Sequence, residues 1–227
     1  MAALAAQRGV PVYRATEKQL ERSKFKLQSD MLAVGSVRFV KHALRQLGRD
    51  LPEHTPYPPI IADLLYREVW KERSLRDARA LLEQGRRLFI KPAEGWKRFT
   101  GFVAEFTDDY RFNGASSSSA VWVSTPVRFV SEWRAYVARG DVLDLRFADH
   151  GGDRNVTPNT AVIHNAVARL MTGPEAPAGL VADFGVLDSG ETALIEVNDG
   201  FSFGAYDGVP AEVYWEVMLS RWLQIVR

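Results

Sequence analysis

Two acidic residues face each other across a short ribbon in this sequence, an arrangement that calls for a cation. The stretch runs Leu180-Val-Ala-Asp-Phe-Gly-Val-Leu-Asp-Ser-Gly-Glu-Thr-Ala-Leu-Ile-Glu-Val-Asn198, with Asp188-Ser189-Gly190-Glu191 as a turn between two strand-like runs. A turn centred on Ser189-Gly190 gives cross-strand partners whose numbers sum to 379. One face then pairs Ala182 with Val197, Phe184 with Ile195 and Val186 with Ala193, and it is wholly apolar. The other face pairs Asp183 with Glu196 and places Asn198 two residues on, on the same side. Opposed carboxylates destabilise a ribbon. Three hard oxygen ligands in this pattern suit Mg²⁺ or Mn²⁺. A solvent-facing hairpin whose acids are neutralised by a nearby lysine fits the same spacing.

Three cations have the character of a polyphosphate site. Lys91 ends the apolar run Leu88-Phe89-Ile90 and precedes Pro92, and Lys97 follows inside the glycine-bracketed segment Gly95-Trp-Lys-Arg-Phe-Thr-Gly101. Arg134 lies mid-strand, on one face with Glu132 and Tyr136. Each has an ordinary alternative: a lysine at a strand end snorkels to water, and Arg134 pairs with Glu132. A triphosphate needs such cations together with a metal.

Helices and strands must position these groups. The first 87 residues read mainly as helix: Met31 to Leu47 ending at Gly48, Ile60 to Lys71, and Ser74, an N-cap, to Gln84 with Gly85 as the stop. Four prolines within Pro52–Pro59 make that segment an extended or irregular connector. From residue 88 the pattern changes to strands, at Leu88–Lys91, Phe102–Phe106, Val121–Ser124, Glu132–Val137, Val142–Phe147, Leu180–Leu187 and Thr192–Asn198. A helix over Asn159–Met171 interrupts them, and Pro210 opens a terminal helix to about Val226. Helices first, then mostly antiparallel strands, is an α+β pattern.

Composition excludes several classes. The 227 residues are 46% hydrophobic and 25% charged, ordinary for a globular chain and unlike a disordered or fibrous one. No apolar run approaches the roughly 20 residues of a membrane helix, and no basic segment precedes the short apolar N-terminus as in a secretion signal. The absence of cysteine rules out disulfides, thiolate catalysis and cysteine-held metals. A cytoplasmic location is the expectation, with no membrane partner. A net charge of +1 gives no global attraction to nucleic acid. The charge is uneven, however: residues 1–90 carry 17 Lys and Arg against 10 Asp and Glu, while the remainder is acidic. Nothing in the sequence sets an oligomeric state.

The strings Phe-Ile-Lys91-Pro, Glu132-Trp-Arg134-Ala-Tyr-Val, Val-Ala-Asp183-Phe-Gly and Ile-Glu196-Val-Asn198 occur in this order. The chain from about 88 to 208 thereby resembles the ATP-grasp superfamily, with similar strings in ribosomal-protein glutamate ligases and tubulin–tyrosine ligases. The Lys-x₅-Lys spacing and the strand arginine bring it nearest to the clade named for one Arg and two Lys. The resemblance implies two antiparallel-sheet subdomains gripping a nucleotide, over 88–127 and 128–227, preceded by the helical region 1–87. It implies that Lys91 and Lys97 contact ATP phosphates, and that the linker through Val123, Ser124, Thr125 and Val127 reads adenine with its backbone. Glu132 joins the nucleotide-binding set. Asp183, Glu196 and Asn198 would hold Mg²⁺, and Arg134 with Lys97 would serve the transferring phosphoryl group. The implied reaction joins a small-molecule or peptide carboxylate to an amine acceptor through an acyl phosphate, releasing ADP and phosphate.

The chain departs from the family pattern after Asn198, where Asp-Gly-Phe-Ser-Phe-Gly-Ala-Tyr206 replaces a Pro-Gly turn. Phe203 in this loop is a candidate for the acceptor pocket, with packing under the terminal helix as the alternative. The loop Ala148-Asp-His150-Gly-Gly-Asp-Arg154-Asn155 follows a strand, and Arg154 is the candidate substrate anchor. Two other functions use the same residues: an ATP-binding regulatory or scaffold module, and a phosphotransferase acting on a small-molecule hydroxyl.

Overall fold

The computed structural model describes residues 1–93, 99–148 and 151–227. Lys97 and His150 lie outside the described residues. The chain forms two compact units, Met1–Leu64 with Phe129–Arg227, and Leu65–Arg128.

The N-terminal segment carries three short helices, α1 (Ala2–Gln7), α2 (Glu17–Glu21) and α3 (Val37–Gln46). α3 starts six residues later than the apolar spacing predicts, because the Ser36 hydroxyl accepts the Phe39 amide and sets the N-terminus there. Gly48, at φ +69°, takes the left-handed conformation just beyond its end. The extended stretch around Pro52–Pro59 is as the prolines require, and it leads into a 3₁₀ turn over Pro59–Leu65.

The smaller unit contains β1 (Val69–Glu72), α4 (Leu75–Glu83), β2 (Leu88–Pro92), β3 (Phe102–Ala104) and β4 (Val121–Ser124), with sheet order β1-β4-β2-β3. The expected helix over Ile60–Lys71 is corrected here. Tyr66 at φ +51° breaks the helical path, and Val69-Trp70, a β-branched and an aromatic residue, pair with β4 instead. Residues 65–87, expected with the helical region, therefore belong to the unit that contains this sheet. The Ser74 hydroxyl accepts the Asp77 amide at 3.1 Å and caps α4 as expected. α4 buries Leu75, Ala78 and Leu82 against Leu88, Ile90, Val121 and Val123, so the other sheet face is the one that carries Lys91.

The larger unit continues with β5 (Phe129–Ala138), β6 (Asp141–Phe147), α5 (Thr160–Leu170), β7 (Gly179–Leu187), β8 (Thr192–Asp199) and α6 (Ala211–Val226). Its sheet order is β6-β5-β7-β8, antiparallel throughout. α6 packs on β5 and β7, with Val217 against Tyr136, Ala138 and Val181. Trp222 of α6 and Phe201 join Leu20, Val40 and Leu44 in a second cluster, which fastens the N-terminal helices to this unit.

The β7–β8 hairpin corrects the predicted register near its turn. Phe184 pairs with Leu194 and Val186 with Thr192, one residue off the expected partners, while Ala182–Val197 and Asp183–Glu196 stand as expected. The loop is the three residues Asp188–Gly190, with the Leu187 amide donating to the Glu191 carbonyl and Gly190 at φ +100°. A bulge at Ile195 then restores the register before Asp183 is reached.

Candidate active site

On the sheet of the larger unit, four charged residues form one row. Arg146 on β6 is opposite Arg134 on β5, Arg134 is opposite Asp183 on β7, and Asp183 is opposite Glu196 on β8. Because side chains directly across antiparallel strands share a face, all four project to the same side. The next row brings Asn198 to that side through its pairing with Val181.

The cation beside Asp183 is Arg134. Its Nε donates to Asp183 Oδ1 and its Nη2 to Oδ2, both at 2.7 Å, in a bidentate pair with Arg134 8% and Asp183 2% exposed. Arg134 pairs with Asp183 and not with Glu132, the alternative partner, because Asp183 stands directly across while Glu132 lies one pleat along the same strand. Arg134 Nη1 donates to the Gly204 carbonyl at 2.9 Å, and the Tyr206 ring covers the guanidinium with its centroid 4.0 Å from Cζ. Among the described residues, these bonds use three of the five N–H groups an arginine carries. One hydrogen on each terminal nitrogen is left by these bonds.

Burial pushes the Asp183 carboxyl up to about 6, against the pull of Arg134 and with further upward pressure from Glu196 and Glu132. Burial also opposes the charge of Arg134, but the bonds to Asp183 outweigh it and raise its pKa, so the guanidinium stays charged. Asn198 Nδ2 donates to Glu196 Oε1 at 3.0 Å and reaches Asp183 Oδ2 at 3.5 Å, so the three expected metal ligands converge. A carboxylate has about four lone-pair positions, and Arg134 occupies two of those on Asp183. The two carboxylates fit a hard divalent cation, and Asn198 completes the oxygen donor set when its amide turns Oδ1 in place of Nδ2 towards them. No group of three or more His, Cys, Asp and Glu placed to hold a metal occurs among the described residues.

The loop after Asn198 is built onto this row. The Tyr206 amide donates to the Tyr136 hydroxyl at 2.9 Å, and the Tyr206 hydroxyl donates to Glu132 at 3.3 Å. Burial and then the nearby Asp183 charge raise the Tyr206 pKa, so its hydroxyl keeps its proton. Phe203 packs at the base of the terminal helix: its ring lies 4.6 Å from that of Tyr214 on α6, and its carbonyl accepts the Tyr214 hydroxyl. Arg154 stacks 5.2 Å from the ring of Phe147, which pairs with Trp133 and points to the face opposite Arg134. The structure does not bring Arg154 to the charged row; it brings Arg146, which sequence reasoning missed. Arg146 donates from Nε to Asp144 at 2.6 Å, and this offsets its repulsion from Arg134.

In the smaller unit, Lys71 on β1 and Lys91 on β2 both pair with Trp122 on the central strand β4. The three share the sheet face turned away from α4. Lys71 was missed because its segment reads as helix, which assigns it no sheet face. Gly101 lies against this face, where a Cβ would come within 2.6 Å of the Phe89 ring and 2.8 Å of Lys91 Cβ. Val123 and Ser124 are bound into the ladder of β4. The Thr125 amide donates to the Glu68 carbonyl and its hydroxyl accepts the Glu68 amide, both at 3.1 Å. The Thr125 N–H is therefore engaged within the unit, and Val127 lies past the strand end.

No helix among the described residues is long and apolar enough to cross a membrane. A comparison with curated proteins finds no sequence match. Among solved structures, the chain is similar to a RiPP-associated ATP-grasp ligase from Chryseobacterium gregarium in complex with ADP and a leader and core peptide, at 15% identity and TM-score 0.45, over 61% of this chain and 49% of that one. It is also similar to a RimK domain protein ATP-grasp from Sphaerobacter thermophilus, at 17% identity and TM-score 0.43, over 61% and 54%. A third is D-alanyl-alanine synthetase A from Vibrio cholerae, at 14% identity and TM-score 0.43, over 72% and 62%. The chain spans about half the length of the first solved structures it matches. The family described as an ATP-grasp domain, family 2 of the clade named for one Arg and two Lys, matches residues 64–216, which include both sheets and the charged row. With two antiparallel four-stranded sheets and that match across two thirds of its length, the chain belongs to this clade of the ATP-grasp superfamily.

Proposed function

We propose that this protein is an ATP-dependent carboxylate–amine ligase that releases ADP and phosphate. The observation that carries the reading is the row Arg146–Arg134–Asp183–Glu196, which is cationic at one end and a divalent-metal donor set at the other. Asp183, Glu196 and Asn198 are the residues for Mg²⁺ or Mn²⁺, which when bound would neutralise phosphate oxygens during transfer. In the smaller unit, Lys71 and Lys91 are the cations for ATP phosphates, with Lys97 a further one from the sequence pattern. With Val123 and Ser124 held in the β4 ladder and the Thr125 N–H engaged, the linker backbone from the Thr125 carbonyl to Val127 is assigned to adenine, and Glu132 is kept in the nucleotide-binding set on the family resemblance.

The chemistry asked of these groups is mainly positioning and charge stabilisation. A carboxylate oxygen of the substrate attacks the γ-phosphorus, the bond to ADP breaks, and an acyl phosphate forms. The amine then attacks the acyl carbon, phosphate leaves, and the nitrogen loses a proton. The charge of Arg134 stabilises the transferring phosphoryl group, and Arg146 receives the anionic group of the substrate. The substrate is a small-molecule or peptide carboxylate, and the acceptor an amine.

The test uses hydroxylamine as the amine, with MgATP and a panel of amino-acid and peptide carboxylates. ATP-dependent hydroxamate accompanied by equal ADP and phosphate supports the ligase. MgATP binding without any hydroxamate favours a nucleotide-binding module, and a stable phosphorylated alcohol identifies a phosphotransferase. Absence of MgATP binding by calorimetry in wild type overturns the nucleotide site itself.

A further inference from the structure

The proline-rich connector, which the family match at 64–216 excludes, touches the strand that bears Glu196 and Asn198. β8 is an edge strand, and its outer backbone groups need partners. At Val197, between the two proposed ligands, both backbone groups are taken by the connector. The Val197 amide donates to the Pro56 carbonyl at 2.9 Å, and His54 Nε2 bonds to the Val197 carbonyl at 2.8 Å. Since a carbonyl only accepts, Nε2 carries the hydrogen here.

The sequence explains why this short segment serves as a strap. Thr55 and Tyr57 each precede a proline and are biased to extended conformations, so little order is lost on docking. Pro56 has no N–H to present outward to another chain. Tyr57 is buried and anchors the strap beside the exposed His54. On the other side of Asn198, Asp199 is held by Arg221 of α6 through bonds of 2.8 and 2.7 Å. The peptides flanking Glu196 and Asn198 are thereby fixed from both directions.

We infer that His54 is a positioning residue, whose bond to the Val197 carbonyl holds Glu196 and Asn198 oriented for a divalent cation. This rests on the reading of those two side chains as metal ligands. The N-terminal region thus contributes to the metal site without touching the metal.

The experiment measures Mn²⁺ binding in the presence of ADP, by the resonance signal of free Mn²⁺, on the full chain. It compares wild type, His54→Leu, which keeps bulk and loses the donor, and His54→Gln, which keeps a donor. His54→Leu is expected to weaken Mn²⁺ binding about three- to tenfold, the span of one lost hydrogen bond. It should also speed exchange of the Val197 amide, while His54→Gln restores both. An unchanged melting temperature separates this from general loosening. Wild-type Mn²⁺ affinity in His54→Leu, or no recovery in His54→Gln, overturns the positioning role and leaves the metal site standing. No Mn²⁺ binding in wild type overturns both. Should His54→Leu fail to fold, His54→Ala, which also lacks the donor, replaces it under the same criteria.

Discussion

Arg134 and Asp183 stand directly opposite each other on neighbouring strands and share two hydrogen bonds of 2.7 Å. The positive charge needed beside the acids of the hairpin thus comes from inside the fold. Breaking such a pair from one side leaves the other charge buried. Arg134→Ala is expected to lower unfolding stability by about 3–5 kcal/mol in denaturant titrations. Without Arg134, the Asp183 pKa rises beyond its value of about 6, so the folded acid binds a proton more tightly than the unfolded one. The deficit of the variant should therefore shrink as pH falls from 7 towards 5. A deficit that stays constant over that interval would show that Asp183 is not the group left exposed to the loss.

Tyr206 should act mainly through its ring. Stacking of this kind is worth about 0.5–2 kcal/mol, so Tyr206→Leu is expected to slow ligation several-fold. Tyr206→Phe keeps the ring over Arg134 and loses only the bond to Glu132, and its rate should stay near wild type. Equal losses in the two variants, measured as initial rates of hydroxamate formation, would assign the effect to the hydroxyl.

The two candidate anchors for substrate separate cleanly. Arg146 shares a face with Arg134, whereas Arg154 stacks on Phe147 on the opposite one. Arg146→Ala is expected to raise KM for the carboxylate at least about tenfold, the cost of one charged hydrogen bond. Arg154→Ala should leave that KM within experimental error. The reverse pattern in steady-state kinetics would restore Arg154 as the anchor.

On the smaller sheet, Lys71→Ala and Lys91→Ala should each weaken MgATP binding about tenfold or more, as removal of a charge-assisted contact does. Gly101→Ala should weaken it too, because its Cβ would displace Phe89 or Lys91. Calorimetry on the three variants checks this. Unaltered affinity in Lys71→Ala would remove Lys71 from the nucleotide site.

Local pattern was enough for most elements. The alternation through Leu180–Leu187 and Thr192–Asn198 has only one buried register that keeps its apolar face inward, so Asp183 and Glu196 were legible as partners. The three-residue loop nevertheless starts the ladder one residue off that register, and the single shift at the Ile195 bulge restores it before the acids are reached. Ser74 and its cap were likewise readable, since that bond is formed three residues away.

What lay between strands distant in the chain was decided only by the tertiary structure. Arg134 and Asp183 are 49 residues apart, and their pairing depends on β5 and β7 becoming neighbours. Arg146 and Lys71 gained their places from sheet order, which no short window of sequence encodes. Val69 and Trp70 suit a strand while the apolar spacing from Ile60 onward suits a helix, and pairing with β4 settled the conflict. The amino-acid sequence by itself determined the acids and the ribbon that sets Asp183 opposite Glu196, because those follow from side-chain chemistry and a period of two. Which cation meets which acid follows from long-range strand pairing, and the fold supplied it.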